Sequence, residues 1–343
     1  MADYKPPFFV DWVITSSCNL SCRHCRGTSQ GGLSPKRALE LVDEIAGLRP
    51  GWLIIEGGEP LLRPDIFEIL EKIKRAGLGV YVSTNGMLLD EKVLARLGGL
   101  NARIMISIDG ATKATYESIR QGASYEKVLE SARESAGHGL LAAINFTILK
   151  RNYAEIPALM KLAAEVGPVK VNLIGLKPCY NYSEELLTAR EYAEAIELAC
   201  RASIEHGVDF FFDEPFFRPA VKKWGLGVRA PAGGAGIVVP SESACIFGDY
   251  LFIEPDGNVK PCSFARLVLG NVSEESLMSV WQKARELPLL NSIKDTANRR
   301  GECSACEYLR ECSGCRSRTF ALTGDWQASD PICPVHKGIG VTP

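Results

Sequence analysis

The tightest constraint on this chain is Cys18-Asn19-Leu20-Ser21-Cys22-Arg23-His24-Cys25, three thiols within eight residues at spacing C-x3-C-x2-C. Iron–sulfur clusters are normally held by four cysteine thiolates. Three on one short loop, with no fourth nearby, point to a cubane whose last iron stays open to a further ligand, as an open zinc position does. The competing reading is three unrelated buried thiols. It fits poorly with a polar loop that directly follows an apolar run.

The spacing resembles the cluster loop of the radical S-adenosylmethionine (SAM) enzymes, and Gly57-Gly58-Glu59-Pro60 resembles their GGEP motif. The resemblance implies that SAM chelates the open iron through its amino and carboxyl groups. An electron, delivered by a flavodoxin or ferredoxin, then cleaves SAM to methionine and a 5'-deoxyadenosyl radical that takes a hydrogen atom from the substrate. It also implies site residues. Gly57 and Gly58 allow close approach of the ligand to the backbone, Glu59 meets the methionine amine, and Pro60 completes the motif. Ser83 and Asn85 match the polar positions that contact ribose or the methionine carboxylate; Ser107 and Asp109 are similar, although either pair also suits a helix cap. Arg120 suits the SAM carboxylate as a charge-assisted partner, or a solvated helix end. His24 takes the place of an aromatic near the adenine.

Periodicity places these residues. Phe8 to Thr15 reads as a buried strand entering the cluster loop, and Ser34-Pro35 as a helix N-cap with Pro at the first helical position. Further strands are expected at 52–56, 79–84, 103–108, 141–149 and 169–176, alternating with helices, one of them a helical stretch near 113–137 and the last at 188–206. Six strand–helix units imply a parallel sheet with helices outside. A closed eight-unit barrel needs about 250 residues, so the expected fold is α/β: a partial (β/α)6 TIM barrel over residues 1–206, as the resemblance also implies. Ligands bind at the carboxyl ends of such strands. The loops above sit there, and Asn145, Asn172 and Leu176 of strands five and six join them as candidate cofactor contacts.

Residues 207–244 break the pattern. Phe210-Phe211-Phe212 reads as one more possible strand. Asp213 to Gly236 is rich in Pro and Gly, which suits a linker or a lid over the barrel. Asp213 and Glu214, at its start, are the candidates for a catalytic acid or base.

Seven of the twelve cysteines follow residue 244, and that asymmetry marks a second domain at 245–343. Tyr250 to Lys260 alternates around Pro255-Asp256-Gly257, a hairpin signal, and residues 274–287 read as a helix. Cys245, Cys262, Cys303, Cys306, Cys312, Cys315 and Cys333 resemble the SPASM extension of radical SAM enzymes, which carries two auxiliary [4Fe-4S] clusters. The usual C-x2-C-x5-C-x3-C is shortened here to a final x2. The family's interleaved order implies Cys245, Cys262 and Cys315 on auxiliary cluster I, one thiolate short, and Cys303, Cys306, Cys312 and Cys333 on auxiliary cluster II. Three clusters and SAM are thus the expected cofactors. Structural zinc also uses paired C-x2-C spacings, but seven thiols make one such site with three left over.

A net charge of −2 without a basic cluster excludes a nucleic-acid binder. The apolar run at 8–14 is too short to span a membrane or serve as a signal peptide. A cytoplasmic oxidoreductase is expected, since patterned cysteines in such a chain read as metal or cluster sites. The favoured substrate is a peptide or protein side chain. A tetrapyrrole side chain, as in alternative haem and haem d1 synthesis, comes next, and a sugar or other small molecule third. The cluster loop starts close to the first residue, so a peptide substrate is expected to need a separate leader-peptide carrier. A non-enzymatic electron-transfer scaffold has no use for the GGEP motif.

Overall fold

The computed structural model describes residues 5–27, 29–167, 169–178, 182–228 and 245–339. Strand and helix alternate from the start: β1 (Val10–Val13), α1 (Pro35–Leu48), β2 (Leu53–Glu56), α2 (Ile66–Arg75), β3 (Val80–Thr84), α3 (Glu91–Gly99), β4 (Ala102–Ser107), α4 (Lys113–Ile119), α5 (Tyr125–Gly137), β5 (Leu141–Ile148), α6 (Ile156–Val166), β6 (Lys170–Gly175), α7 (Ala189–His206), β7 (Phe210–Phe212) and α8 (Phe217–Trp224). The sequence explains the starts. Ser34 accepts from the Arg37 amide ahead of Pro35, and Thr188 with Glu191 closes a capping box on α7.

β1 to β7 pair in order, all parallel. Seven strands replace the expected six, because Phe210–Phe212 pairs with Val171–Leu173 of β6. The expected helix at 113–137 is two helices. Arg120 leaves the helical conformation (φ −101°, ψ 77°) and Gly122 turns at φ 91°, a conformation open to glycine.

The C-terminal region enters the same sheet. β8 (Leu251–Ile253) lies parallel to β1 on the side away from β2. β9 (Asn258–Lys260) returns antiparallel, as the hairpin signal predicts, and β10 (Gly270–Asn271) follows. Among the described residues the ten-stranded order puts β10 and β7 at its two ends. Beyond it lie α9 (Leu277–Glu286), α10 (Pro288–Lys294), α11 (Leu309–Cys312) and α12 (Arg316–Thr323).

Alternation assigns the faces. Val10, Trp12 and Ile14 join Leu53, Ile55, Leu251 and Ile253 in the main core with the outer helices. Phe9, Val13, Tyr250 and Phe252 form a second cluster with Trp52, Ile54 and Cys262 on the inner face. Among the described residues no helix is long and apolar enough to cross a membrane.

Candidate active site

The loop after β1 carries Cys18, Cys22 and Cys25, which lie within electrostatic reach of one another. Burial pushes the Cys22 thiol up to about 11, with the Arg120 guanidinium pulling the other way. Arg120 Nη1 lies 3.8 Å from Cys22 Sγ. The loop leans on the GGEP motif. The amides of Gly58 and Glu59 donate to the carbonyls of Thr15 and Ser17, both at 2.8 Å. A Cβ on Gly58 would stand 2.3 Å from the Ser17 carbonyl oxygen, and one on Gly57 2.9 Å from that of Thr15. The glycines therefore permit a close approach of chain to chain.

Glu59 is completely buried. One carboxylate oxygen accepts from Thr84 Oγ1 (2.8 Å) and the Leu61 amide (3.2 Å), and the other from the Asn85 amide (2.8 Å). Burial raises its pKa in spite of these bonds. The carboxylate thus braces β2 against the end of β3, and the half-exposed Gly57–Gly58 backbone is what the motif presents outward. Pro60 is buried behind it. Asn85 Nδ2 donates to Asn19 Oδ1 at 2.8 Å, tying β3 to the cluster loop.

Asp109, after β4, is the electrostatic anchor. Its Oδ2 accepts from Arg120 Nε at 2.6 Å and lies 3.0 Å from His24 Nε2, and its Oδ1 accepts from the Thr147 amide at 2.6 Å. Burial alone would raise this carboxyl. Arg120, His24 and the Thr147 amide together hold it well below the usual carboxylate range. The break between α4 and α5 brings Arg120 to this point. His24 is held edge-on to Asp109, and its buried Nδ1 has no protein partner. On the inner face Asn172 Nδ2 donates to Asn145 Oδ1 (2.8 Å), and Asn145 reaches Ser83 Oγ at 3.5 Å. Ser107 sits opposite Asn145, so these four make a half-buried polar row. Leu176 lies just past β6, also half-buried.

The C-terminal thiols fall into two groups. Cys245 is in electrostatic reach of both Cys262 and Cys315. Cys303, Cys306, Cys312 and Cys333 line one small cavity with Phe216 and Pro219. Burial pushes Cys333 up to about 12, and Cys303 adds to the shift. No disulfide joins any of the cysteines among the described residues. Among the described residues no three Cys, His, Asp or Glu side chains converge as a single ion requires. Four unbridged thiols round one cavity are the donor set that an iron–sulfur cluster takes.

Residues 12–163 match the Radical SAM superfamily, and residues 245–315 match SPASM, an iron-sulfur cluster-binding domain. An AdoMet-dependent heme synthase of Methanosarcina barkeri is 30% identical over 97% of each chain. The chain belongs to the radical SAM superfamily. It is a radical SAM/SPASM enzyme. A PqqA peptide cyclase of Gluconobacter oxydans is 28% identical, covering 98% of this chain and 93% of the relative. The structure of anSMEcpe with bound AdoMet superimposes at TM-score 0.74 with 20% identity, over 97% of this chain and 92% of that one; that likeness shows the fold.

In this radical SAM enzyme the two candidate acids part company. Glu214 is buried. Oε1 accepts from Lys177 Nζ and Tyr192 Oη, each at 2.9 Å, and Oε2 from Arg318 Nη1 at 2.6 Å. A Cβ on Gly175 would fall 1.9 Å from Glu214 Oε1, so β6 ends on glycine to make room. Arg318 also forks onto Asp330 (2.9 and 2.6 Å), whose Oδ2 accepts from the Cys315 amide. This network joins the barrel mouth to the SPASM thiols. Asp213 keeps 39% of its side chain exposed, 3.5 Å from Lys177. Residues 229–244, the second part of the expected lid or linker, and Cys179 lie outside the described residues. The 207–228 stretch supplies β7 and α8. Lys177, Arg318 and Asp330 escape a sequence reading, because nothing local distinguishes a buried ion from a solvated one.

Proposed function

We propose that this enzyme oxidises an unactivated C–H position on a tetrapyrrole side chain. The observation that carries the reading is the 30% identity to an AdoMet-dependent heme synthase along 97% of both chains. Cys18, Cys22 and Cys25 would hold the SAM-binding [4Fe-4S] cluster. Cys245, Cys262 and Cys315 would hold one auxiliary cluster, and Cys303, Cys306, Cys312 and Cys333 the other. Bound there, cluster and SAM supply hydrogen-atom abstraction. The protein's own work is placement. Asp109 fixes Arg120 and His24 beside the first cluster loop, the row Ser83–Ser107–Asn145–Asn172 orients ligands along the inner face, and Phe9, Tyr250 and Phe252 exclude water beneath it. Asp213, the accessible acid, is the proton-transfer group, while Glu214 holds the mouth together. Electrons come from a flavodoxin or ferredoxin in the cytoplasm.

A second reading, a peptide side chain delivered by a separate carrier, is favoured by the similarity to a PqqA peptide cyclase. The two separate in one assay. Anaerobically reconstituted enzyme, SAM and reductant are incubated with a propionate-bearing iron porphyrin or with a peptide pool. Formation of 5'-deoxyadenosine and substrate mass are then followed. Porphyrin-dependent 5'-deoxyadenosine with a matching mass change is expected. Peptide consumption with an untouched porphyrin would overturn the tetrapyrrole reading.

A further inference from the structure

Among the described residues two buried guanidiniums near the C-terminal cysteines form no direct ion pair, although the exposed Asp295 lies in electrostatic reach of Arg299 and Asp330 in that of Arg316. Arg299 is 4% exposed and Arg316 1%. Arg299 donates to the carbonyls of Ile293 (2.7 Å), Ser313 and Asp295 (both 3.3 Å), to Ser313 Oγ (2.8 Å) and to Gln327. Arg316 donates to the carbonyls of Trp326 (2.7 Å), Ala328 (3.1 Å) and Gly314 (3.3 Å), while its buried Nη2 meets no protein acceptor. Among the described residues neither pairs with Asp or Glu. Asp330, the buried carboxylate in electrostatic reach of Arg316, is already hydrogen-bonded by Arg318 and the Cys315 amide. Neutral acceptors satisfy hydrogen bonds without cancelling charge, and an uncompensated buried charge is strongly destabilising.

The position of the two residues says what supplies the missing charge. Arg299 lies in electrostatic reach of Cys245 and Cys303, one thiol from each C-terminal group, and of Arg316. Arg316 follows Cys315 directly, and its unpaired Nη2 sits 2.4 Å from where a Cβ on Gly314 would be. Gly314 lies between Cys312 and Cys315, and its amide donates to Cys312 Sγ at 3.3 Å. Arg299 thus reaches one thiol of each set, and the Arg316 guanidinium lies against the Cys312–Cys315 turn, which carries one thiol of each. Thiolate-ligated iron–sulfur clusters are anionic, and hydrogen bonds and charge around the sulfurs set their potentials.

We infer that Arg299 and Arg316 are the counter-ions of the two auxiliary clusters and set their reduction potentials. The inference rests on the two-cluster reading above. Reduction adds negative charge, which a neighbouring cation favours, so each arginine raises the potential of the cluster beside it.

The test uses the full chain carrying Cys18, Cys22 and Cys25→Ala, which leaves only auxiliary iron. Potentials are read by electron paramagnetic resonance during redox titration. Arg299→Met and Arg316→Met should each lower at least one potential, changing the reduced-to-oxidised ratio about tenfold at fixed potential, or about 59 mV for one electron. Arg299→Lys and Arg316→Lys should stay near the parent. Loss of auxiliary iron from a Met variant but not from its Lys counterpart also supports the assignment. Unmoved potentials in the Met variants, or Lys variants that shift or lose iron as much as Met, overturn it. A parent that takes up no auxiliary iron overturns the cluster reading itself, a result distinct from clusters whose potentials do not move.

Discussion

Replacing Glu214 by Gln tests whether the barrel and the SPASM region are held together by buried charge. Glu214, Lys177 and Arg318 have side chains 0%, 3% and 0% exposed, so solvent screens little of the interaction. Glu214→Gln leaves Lys177 with only the partly exposed Asp213, and Arg318 with Asp330 alone. Removing one partner of a buried pair costs about 3–5 kcal/mol. With an unfolding entropy of about 2.1 cal/mol/K per residue, the 343-residue chain should lose roughly 6 °C in Tm for about 4 kcal/mol. The assay is thermal unfolding by circular dichroism, at matched iron content under anaerobic conditions. The double variant Lys177→Met/Glu214→Gln removes both ions and leaves Arg318–Asp330 as a closed neutral pair. It should recover most of the loss, because an apolar replacement for a buried pair is often neutral. A Glu214→Gln melt within about 1 °C of the parent, or a double variant worse than the single, would refute the argument.

Three further outcomes are expected. Cys18, Cys22 and Cys25→Ala together should abolish reductive SAM cleavage yet leave auxiliary iron, measured by iron content and 5'-deoxyadenosine; persistent 5'-deoxyadenosine removes the central assignment. Gly58→Val should lower Tm and loosen the first cluster, because its side chain strikes the Ser16–Ser17 backbone; a fully stable variant that fails only in SAM affinity would show that the glycine faces the ligand after all. Tyr250→Phe should make the potential of the proposed Cys262 cluster more negative at constant iron, since the phenol lies in electrostatic reach of the Cys262 sulfur and a polar hydrogen beside a cluster sulfur favours the reduced, more negative state; an unchanged potential counts against that placement.

Much of the barrel was legible because its signals are local. Ser34-Pro35 caps α1, Thr188 caps α7, and Ile66, Ile69, Leu70 and Ile73 line one buried face of α2. The cluster loop and GGEP were legible for the same reason. The orientation of single side chains was not. Gly57–Gly58 reads as a close approach of backbone to ligand, and nothing local says that a side chain there would also strike the Ser16–Ser17 backbone. Glu214 reads as a free acid until Lys177 and Arg318 close on it from far along the chain. β7 is three phenylalanines long and becomes a barrel strand only through its pairing with β6, a choice made by tertiary contact rather than propensity.

The pairing of β8 with β1 has a consequence for how the enzyme can be cut and how it is made. The strand that delivers the first cluster loop is hydrogen-bonded on one side by β2 and on the other by a strand that leaves the ribosome only after all of β1 to β7. Until residues 251–253 arrive, β1 is a bare sheet edge, open to pairing with other chains. A fragment ending before Cys245 is therefore no minimal catalyst with an accessory removed. It is a sheet with a new raw margin beside its iron-binding loop, prone to self-association, and the nascent chain passes through the same state on its way to the finished enzyme.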